Sequence, residues 1–211
     1  METNSQPQND LLAIRQMMER SSKFLSLSGL SGIFAGCCAL AGAAYVYWGI
    51  LKAEGFKNVE YLQNSELLEY DNIRISLLIT AVVILLVALG GALYFSMRKA
   101  QKNKSKFWNK TTRQLTLHLF IPLVAGGLFS LMLFWQYNIQ LMASATLVFY
   151  GLALVNAGKF TFGEIHYLGL SEIVLGLFAG IFINYGLLFW TIGFGVLHIV
   201  YGLFMYLKYE R

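Results

Sequence analysis

Four long stretches of this chain contain no charged side chain, and they constrain its fold more than any other feature. Residues 24–51, 75–97, 114–158 and 173–207 contain no Asp, Glu, Lys or Arg. A transmembrane helix needs about 20 predominantly apolar residues, so each stretch can cross a bilayer at least once. The composition agrees, because 57% of the residues are hydrophobic and 13% are charged. A soluble domain, a disulfide scaffold and a disordered chain are therefore excluded.

Turn residues divide the two longest stretches, which gives six predicted transmembrane helices. The group 135–138 (Trp-Gln-Tyr-Asn) is typical of a membrane interface, and the group 184–186 (Asn-Tyr-Gly) contains turn formers. The predicted spans are residues 24–51, 75–97, 115–135, 139–157, 164–183 and 187–207. The sequence therefore predicts an all-α polytopic membrane protein with six transmembrane helices arranged as three hairpins.

Basic residues cluster on one side of the predicted bundle. Of the 16 Lys and Arg residues, only Lys52, Lys57 and Arg74 fall in the loop of the opposite side. Short cytoplasmic loops carry the excess of Lys and Arg in membrane proteins. Both termini are therefore predicted to be cytoplasmic, and the protein is predicted to lie in the inner (cytoplasmic) membrane of the cell.

The spans form one predicted domain, residues 24–207, followed by a short cytoplasmic tail, residues 208–211. Residues 1–23 are predicted to be a polar tail that leads into an amphipathic juxtamembrane helix, with Leu11, Ile14 and Met18 at helical spacing. This helix either lies among the lipid headgroups or extends the first span.

The loop 98–113 carries seven basic residues and no acidic residue. These are Arg98, Lys99, Lys102, Lys104, Lys106, Lys110 and Arg113. Each basic residue near an anionic membrane surface contributes about 1 kcal/mol of attraction, which predicts contact with anionic phospholipid. The positive-inside pattern alone also produces such a loop. No nucleic-acid reader motif accompanies the charge, so nucleic acid is not a predicted partner.

Small residues at a spacing of four mark two candidate helix-packing faces. One contains Gly32 and Gly36 in the first span, and the other contains Gly176 and Gly180 in the fifth span. Glycine at this spacing lets two helix backbones approach closely. The faces serve either packing within the bundle or a homo-oligomer interface.

Glu172 and His198 are the most informative polar residues within the predicted spans. Because the last hairpin turns near Tyr185, the two residues lie at equal depth, some 12–14 Å from the ends of their helices at about 1.5 Å per residue. Ionisable side chains inside a membrane are costly and usually face the bundle interior. The sequence therefore predicts that Glu172 and His198 meet near the middle of the bilayer as pore or proton-relay residues.

A second polar group is predicted at the cytoplasmic ends of the spans. The same equal-depth argument places five residues there as an inner-mouth cluster: His118, Asn156, Lys159, Glu164 and His166. A protonatable pair beneath such a mouth suits a small transporter or channel.

Three functions remain open from the sequence. The favoured one is a small transporter, channel or sensor-type scaffold without enzymatic activity and without a cofactor. A metal-dependent membrane hydrolase of lipid or peptide is the alternative, with Glu172 and His198 as ligands, and a purely structural membrane partner is the third. The chain lacks the Walker lysine loop, the potassium-channel filter sequence and the Gly-x-Ser-x-Gly turn, so the common activities with these motifs are not predicted.

Overall fold

The computed structural model describes residues 27–51, 67–104 and 108–211, and these residues form helices and turns. Six helical segments are long and apolar enough to cross a membrane, which agrees with the six predicted spans. The chain therefore has the architecture of a multi-pass membrane protein. The predicted tail and amphipathic helix of residues 1–23 lie outside the described residues, as does Lys106.

Seven α-helices build the described part of the bundle. They are α1 (Gly29–Tyr45), α2 (Leu67–Lys102), α3 (Lys110–Trp135), α4 (Met142–Ala157), α5 (Gly163–Ile181), α6 (Gly186–Trp190) and α7 (His198–Tyr209). Two π-helical segments interrupt them, Val46–Leu51 after α1 and Thr191–Leu197 between α6 and α7. Short 3₁₀ turns lie at Ile139–Leu141, Gly158–Phe160 and Ile183–Tyr185. The sixth span consists of α6, the second π-helical segment and α7.

The chain reverses at the two predicted turns. Helix α3 ends at Trp135, and the left-handed backbone of Tyr137 (φ 63°) turns the chain into α4. The 3₁₀ turn Ile183–Tyr185 separates α5 from α6 and contacts the turn before α4. Both turns lie at one end of the bundle, which we call the loop end. Ser28 and Glu210 meet at the opposite end, which we call the terminal end.

The most extensive helix contacts join α4 to α5, and α1 to the sixth span. Helix α3 packs on α4 and α2 packs on α1, whereas α5 and the sixth span share a smaller contact. The two spans of each predicted hairpin therefore touch, although the largest contacts of the last two spans are with other helices. Two consecutive transmembrane helices joined by a short loop run antiparallel. How extensively each pair of helices packs depends on the shapes of their side chains.

Both predicted glycine faces pack within the chain. A Cβ on Gly36 would lie 2.7 Å from the carbonyl oxygen of Gly195 in the sixth span. A Cβ on Gly176 would lie 2.9 Å from the backbone nitrogen of Val148 in α4. The glycines therefore allow α1 to approach the sixth span and α5 to approach α4. A homo-oligomer through either face would require these helix pairs to separate.

A network of hydrogen bonds and one ion pair joins three segments at the terminal end. The Glu210 carboxylate accepts hydrogen bonds from the Ser28 hydroxyl (3.2 Å) and the Gly29 amide (2.5 Å), so it caps the first turn of α1. The Lys99 ammonium donates to the Leu27 carbonyl (2.6 Å) and to Glu210 (3.2 Å). The prediction that Lys99 contacts lipid headgroups is therefore wrong, because its side chain is only 10% exposed and ion-paired inside the protein.

The other described basic residues of the loop 98–113 are exposed. These are Arg98, Lys102, Lys104, Lys110 and Arg113. Asn109 caps α3 by accepting a hydrogen bond from the Thr112 amide (2.8 Å), which ends the loop.

Replacing Glu210 with alanine is expected to lower the free energy of unfolding by about 1–2 kcal/mol, because the cap of α1 and the partner of Lys99 are lost together. Denaturant unfolding in mixed micelles measures this change. The matched control is Arg211→Ala, since Arg211 is exposed, and it should change stability by less than about 0.5 kcal/mol. Equal effects of the two substitutions would contradict a stabilising role of the Glu210 contacts.

Candidate buried proton site

Glu172 and His198 lie side by side inside the bundle. Glu172 lies near the middle of α5 and is 0% exposed, and His198 is the first residue of α7 and is 6% exposed. The His198 Nδ1 atom lies 3.4 Å from the Glu172 Oε1 atom. The structure thus brings together the two residues that the equal-depth argument paired, and it directs both away from lipid.

Both ring nitrogens of His198 have partners other than Glu172. Nδ1 lies 3.0 Å from the carbonyl oxygen of Gly193, and Nε2 lies 2.8 Å from the hydroxyl of Tyr150 in α4. A carbonyl only accepts, so Nδ1 carries the proton, and in the neutral ring Nε2 accepts from the Tyr150 hydroxyl. Tyr150 extends the pair to a third helix.

The second π-helical segment shapes this site. A Cβ on Gly193 would collide with the Glu172 carboxylate and would lie 2.6 Å from the Leu147 side chain. Glycine at this position lets the Glu172 carboxylate lie against the sixth span, and a larger residue would displace the ends of the Glu172 and Leu147 side chains. Isolated π-helical turns within α-helices often lie at functional sites.

The two carboxylate oxygens of Glu172 are buried and have no hydrogen-bond partner among the described residues. Most buried polar atoms in proteins are hydrogen-bonded, and an unpaired one calls for a functional explanation. An ionised carboxylate without hydrogen bonds is costly in an apolar interior, so the proton state of Glu172 is coupled to that of His198. The two groups together can hold a proton on either side chain.

A column of aromatic rings leads from this site toward the loop end. Phe194 stacks on His198 with 5.8 Å between ring centroids, and Trp190 lies 5.0 Å from Phe194. Tyr150 packs against Phe194 at 4.9 Å. Trp190 therefore connects to the buried site through two successive ring contacts.

A cavity of about 200 Å³ begins where this column ends. Trp190 and Thr146 form part of its wall, and each lies one helical turn from a residue that contacts His198. The other walls come from α1, α2, α3 and the turn before α4. The cavity thus lies between the buried site and the loop end.

An apolar layer lies on the other side of the site. Leu154, Ile165 and Leu168 form a buried cluster, against which Leu197 and Tyr201 pack. This layer lies between the Glu172–His198 pair and the terminal end.

Three residues of the predicted inner-mouth cluster have contacts outside it. His118 is exposed and stacks on Phe160 with 4.8 Å between centroids. His166 lies beside Gly158, within 3.2 Å of where a Cβ there would be. The Glu164 carboxylate instead accepts hydrogen bonds from two residues at the C-terminal end of α7, the Lys208 ammonium at 2.5 Å and the Tyr209 hydroxyl at 2.9 Å.

No hydrogen bond or ion pair joins any two of the five, all of which are described: His118, Asn156, Lys159, Glu164 and His166. A shared inner mouth therefore stays a prediction. Equal depth places residues at one level of the bundle but does not say which way each helix faces.

Among the described residues, no three His, Cys, Asp or Glu side chains come close enough to hold a metal ion. Zinc in a catalytic site needs three protein ligands, and Glu172 and His198 supply only two. Glu172 and His198 alone do not make up such a ligand set, and the metal-dependent hydrolase stays a prediction.

The fold and the site together define a helical multi-pass membrane protein with an acid–base pair buried inside its bundle. Comparisons of the chain with known protein families, curated proteins and solved structures find no match.

Proposed function

We propose that this protein is a small proton-coupled transporter, and that Glu172 and His198 bind the transported proton. The single observation that supports this most is the Glu172 carboxyl group, which is fully buried, lies 3.4 Å from a histidine and has no hydrogen-bond partner among the described residues. A structural glutamate is expected to be hydrogen-bonded. A proton-carrying glutamate instead needs freedom to gain and lose its proton.

We place the transported solute in the cavity, which the aromatic column connects to the Glu172–His198 pair. A solute in the cavity touches Trp190, and a displacement of this ring passes through Phe194 to His198. Because His198 faces Glu172, movement of the imidazole changes how well the pair holds its proton. Proton binding and solute binding are thereby coupled, and by linkage the coupling acts in both directions.

We also propose an orientation in the membrane. With both termini cytoplasmic, the terminal end faces the cytoplasm and the cavity lies toward the outer face of the inner membrane. The apolar layer of Leu154, Ile165 and Leu168 then separates the proton site from the cytoplasm. The exposed residues Arg98 and Lys102 contact anionic phospholipid of the cytoplasmic leaflet.

Proton flux in proteoliposomes tests the function. Purified protein is reconstituted in vesicles that contain a trapped pH-sensitive dye, and small carboxylates, amino acids and organic cations are added outside one at a time. At least one class is expected to acidify the vesicle interior faster than in protein-free vesicles, because solute and proton enter together. The signal should disappear when a protonophore is added beforehand. A pH trace identical to that of empty vesicles for every class would contradict the proposal.

A further inference from the structure

A second buried polar group lies on α7, beside the proton site. The hydroxyl oxygen of Tyr201 is buried and has no hydrogen-bond partner among the described residues. Tyr201 follows His198 by three residues, so the two side chains lie on the same face of α7. A buried hydroxyl that is left unpaired destabilises a protein, so the Tyr201 hydroxyl calls for an explanation, as the Glu172 carboxylate does.

The Tyr201 hydroxyl belongs to a part of the bundle that is otherwise apolar. Tyr201 and Tyr150 both pack against the apolar layer of Leu154, Ile165 and Leu168. The other side chains packed against this layer in the described part of the chain are all leucines. The two tyrosines therefore bring the hydroxyl groups of this layer, which lies between the proton site and the terminal end.

Ionisable groups lie near Tyr201 on both sides of the layer. The Tyr150 hydroxyl, the Tyr209 hydroxyl and the Glu164 carboxylate are close enough to interact electrostatically with the Tyr201 hydroxyl. The Tyr150 hydroxyl donates to Nε2 of His198 at the buried site (2.8 Å). The Tyr209 hydroxyl donates to the Glu164 carboxylate at the terminal end (2.9 Å). Tyr201 thus lies between two hydrogen-bonded sets that no hydrogen bond joins among the described residues.

From this placement we infer that Tyr201 passes protons through the apolar layer, between the Glu172–His198 pair and Glu164 at the terminal end. A hydroxyl has one proton to donate and two lone pairs that accept, so it can take up a proton on one side and release its own on the other. Water supplies the partner that the Tyr201 hydroxyl lacks, since buried water typically binds polar groups that are otherwise unsatisfied. A phenylalanine at this position would leave the layer without its proton path.

Each passage moves one proton and ionises no tyrosine. When the His198 ring is doubly protonated, Nε2 donates its proton to the Tyr150 oxygen, and the hydroxyl proton of Tyr150 passes to water. The water releases a proton to the Tyr201 oxygen, and the hydroxyl proton of Tyr201 passes through water to the Glu164 carboxylate. The Glu164 side chain is 21% exposed, so it can release the proton at the terminal end.

The biological purpose of this path rests on the proposed function, whereas proton exchange at Glu172 can be measured without any transport. A proton that instead reaches Glu172 from the cavity would bypass Tyr201. The rate of exchange in a variant without the Tyr201 hydroxyl therefore distinguishes the two routes.

Time-resolved infrared spectroscopy tests the path directly. The full-length protein in nanodiscs is shifted rapidly from alkaline to acidic pH, and the carbonyl stretch of the protonated Glu172 carboxyl group is followed, identified by its absence in Glu172→Gln. In Tyr201→Phe the band is expected to appear at least tenfold more slowly than in the wild type, because the hydroxyl is removed and the ring is kept. Equal rates in the two proteins would overturn the inference, and so would the absence of any band that Glu172→Gln removes.

The pH midpoint of the same band separates proton passage from an effect on the site itself. A residue that only passes protons changes the rate at which Glu172 is protonated and leaves its proton affinity unchanged. The midpoint in Tyr201→Phe is therefore expected to equal that of the wild type. A tenfold change in proton affinity would move the midpoint by about one pH unit, and such a shift would overturn the inference in favour of a structural role.

Tyr167 provides the matched control. It lies in the terminal half of α5, as Tyr201 lies in the terminal half of the sixth span, but it is 71% exposed. Tyr167→Phe removes the same hydroxyl group and should leave the rate of protonation unchanged. Equal slowing in Tyr167→Phe and Tyr201→Phe would show a general effect of removing a tyrosine hydroxyl and would overturn the path.

The proton path and the transporter fail in different ways. Slower protonation in Tyr201→Phe, together with no proton movement by the wild type in proteoliposomes, would retire the transporter and leave the path. Solute-driven proton movement by the wild type, together with equal protonation rates in wild type and Tyr201→Phe, would retain the transporter and remove Tyr201 from it.

Discussion

Replacing Glu172 with glutamine is expected to reduce solute-driven proton movement in proteoliposomes to the level of empty vesicles. Glutamine has nearly the same shape as glutamate, but its amide does not bind or release a proton near neutral pH. In this variant His198 keeps its hydrogen bonds to Tyr150 and to the Gly193 carbonyl, so the fold around the site should persist. The measurement is the initial rate of internal acidification, with the solute that gives the largest signal in the wild type.

Glu164 provides a matched control in the same helix. It lies at the terminal end of α5, where its carboxylate is paired with Lys208 outside the buried site. Glu164→Gln should therefore retain most of the wild-type rate. Equal loss in Glu164→Gln and Glu172→Gln would show a general effect of removing a carboxylate, and full activity in Glu172→Gln would remove Glu172 from the mechanism.

Stability distinguishes a proton carrier from structural support at the same position. Because the Glu172 oxygens have no hydrogen-bond partner among the described residues, Glu172→Met removes a buried polar group and its 3.4 Å contact with His198 without breaking a hydrogen bond. The free energy of unfolding is then expected to stay the same or to rise, since an unsatisfied buried polar group costs about 1–3 kcal/mol. A structural glutamate would behave oppositely, and a clear fall in unfolding temperature for Glu172→Met would favour that role.

The six spans could be predicted because the membrane acts on simple properties of the sequence. Missing charges mark the apolar segments, and the two turns lie where aromatic, Asn and Gly residues interrupt them. The meeting of Glu172 and His198 followed from one further constraint, because residues at equal distances from a tight turn lie at equal depth. Both inferences use position along the membrane normal alone.

Properties that depend on rotation about the helix axis could not be predicted in this way. Lys99 looked like any other basic residue of its loop, yet its helix turns it inward to Glu210. Tyr150 is a partner of His198 because α4 presents it there, and the sequence, with its 12 tyrosines, does not indicate which of them faces His198. Nor does hydropathy indicate the π-helical segment before His198, in which Gly193 lies against Glu172.

Replacing Gly202 with alanine is expected to destabilise the bundle strongly, although the substitution adds only one methyl group. Gly202 of α7 faces α1, and a Cβ there would lie 2.5 Å from the Ile33 nitrogen and 2.6 Å from the Gly29 carbonyl oxygen. Both atoms belong to the backbone, so no side chain can rotate away and the two helices must separate. Overpacking of this kind costs about 1–3 kcal/mol, and denaturant unfolding in mixed micelles measures it.

The same substitution at a glycine whose added methyl group meets no neighbour serves as the control for the steric effect. No atom lies within 4 Å of where a Cβ on Gly90 of α2 would be. Gly90→Ala should therefore be neutral or stabilise the protein by up to about 1 kcal/mol through helix propensity. Because Gly202 and Gly90 both lie within apolar spans, loss of flexibility or a change in hydrophobicity would affect them alike. A large loss of stability in Gly202→Ala alone would thus arise from the contact between α1 and α7, and equal stability of the two variants would contradict that contact.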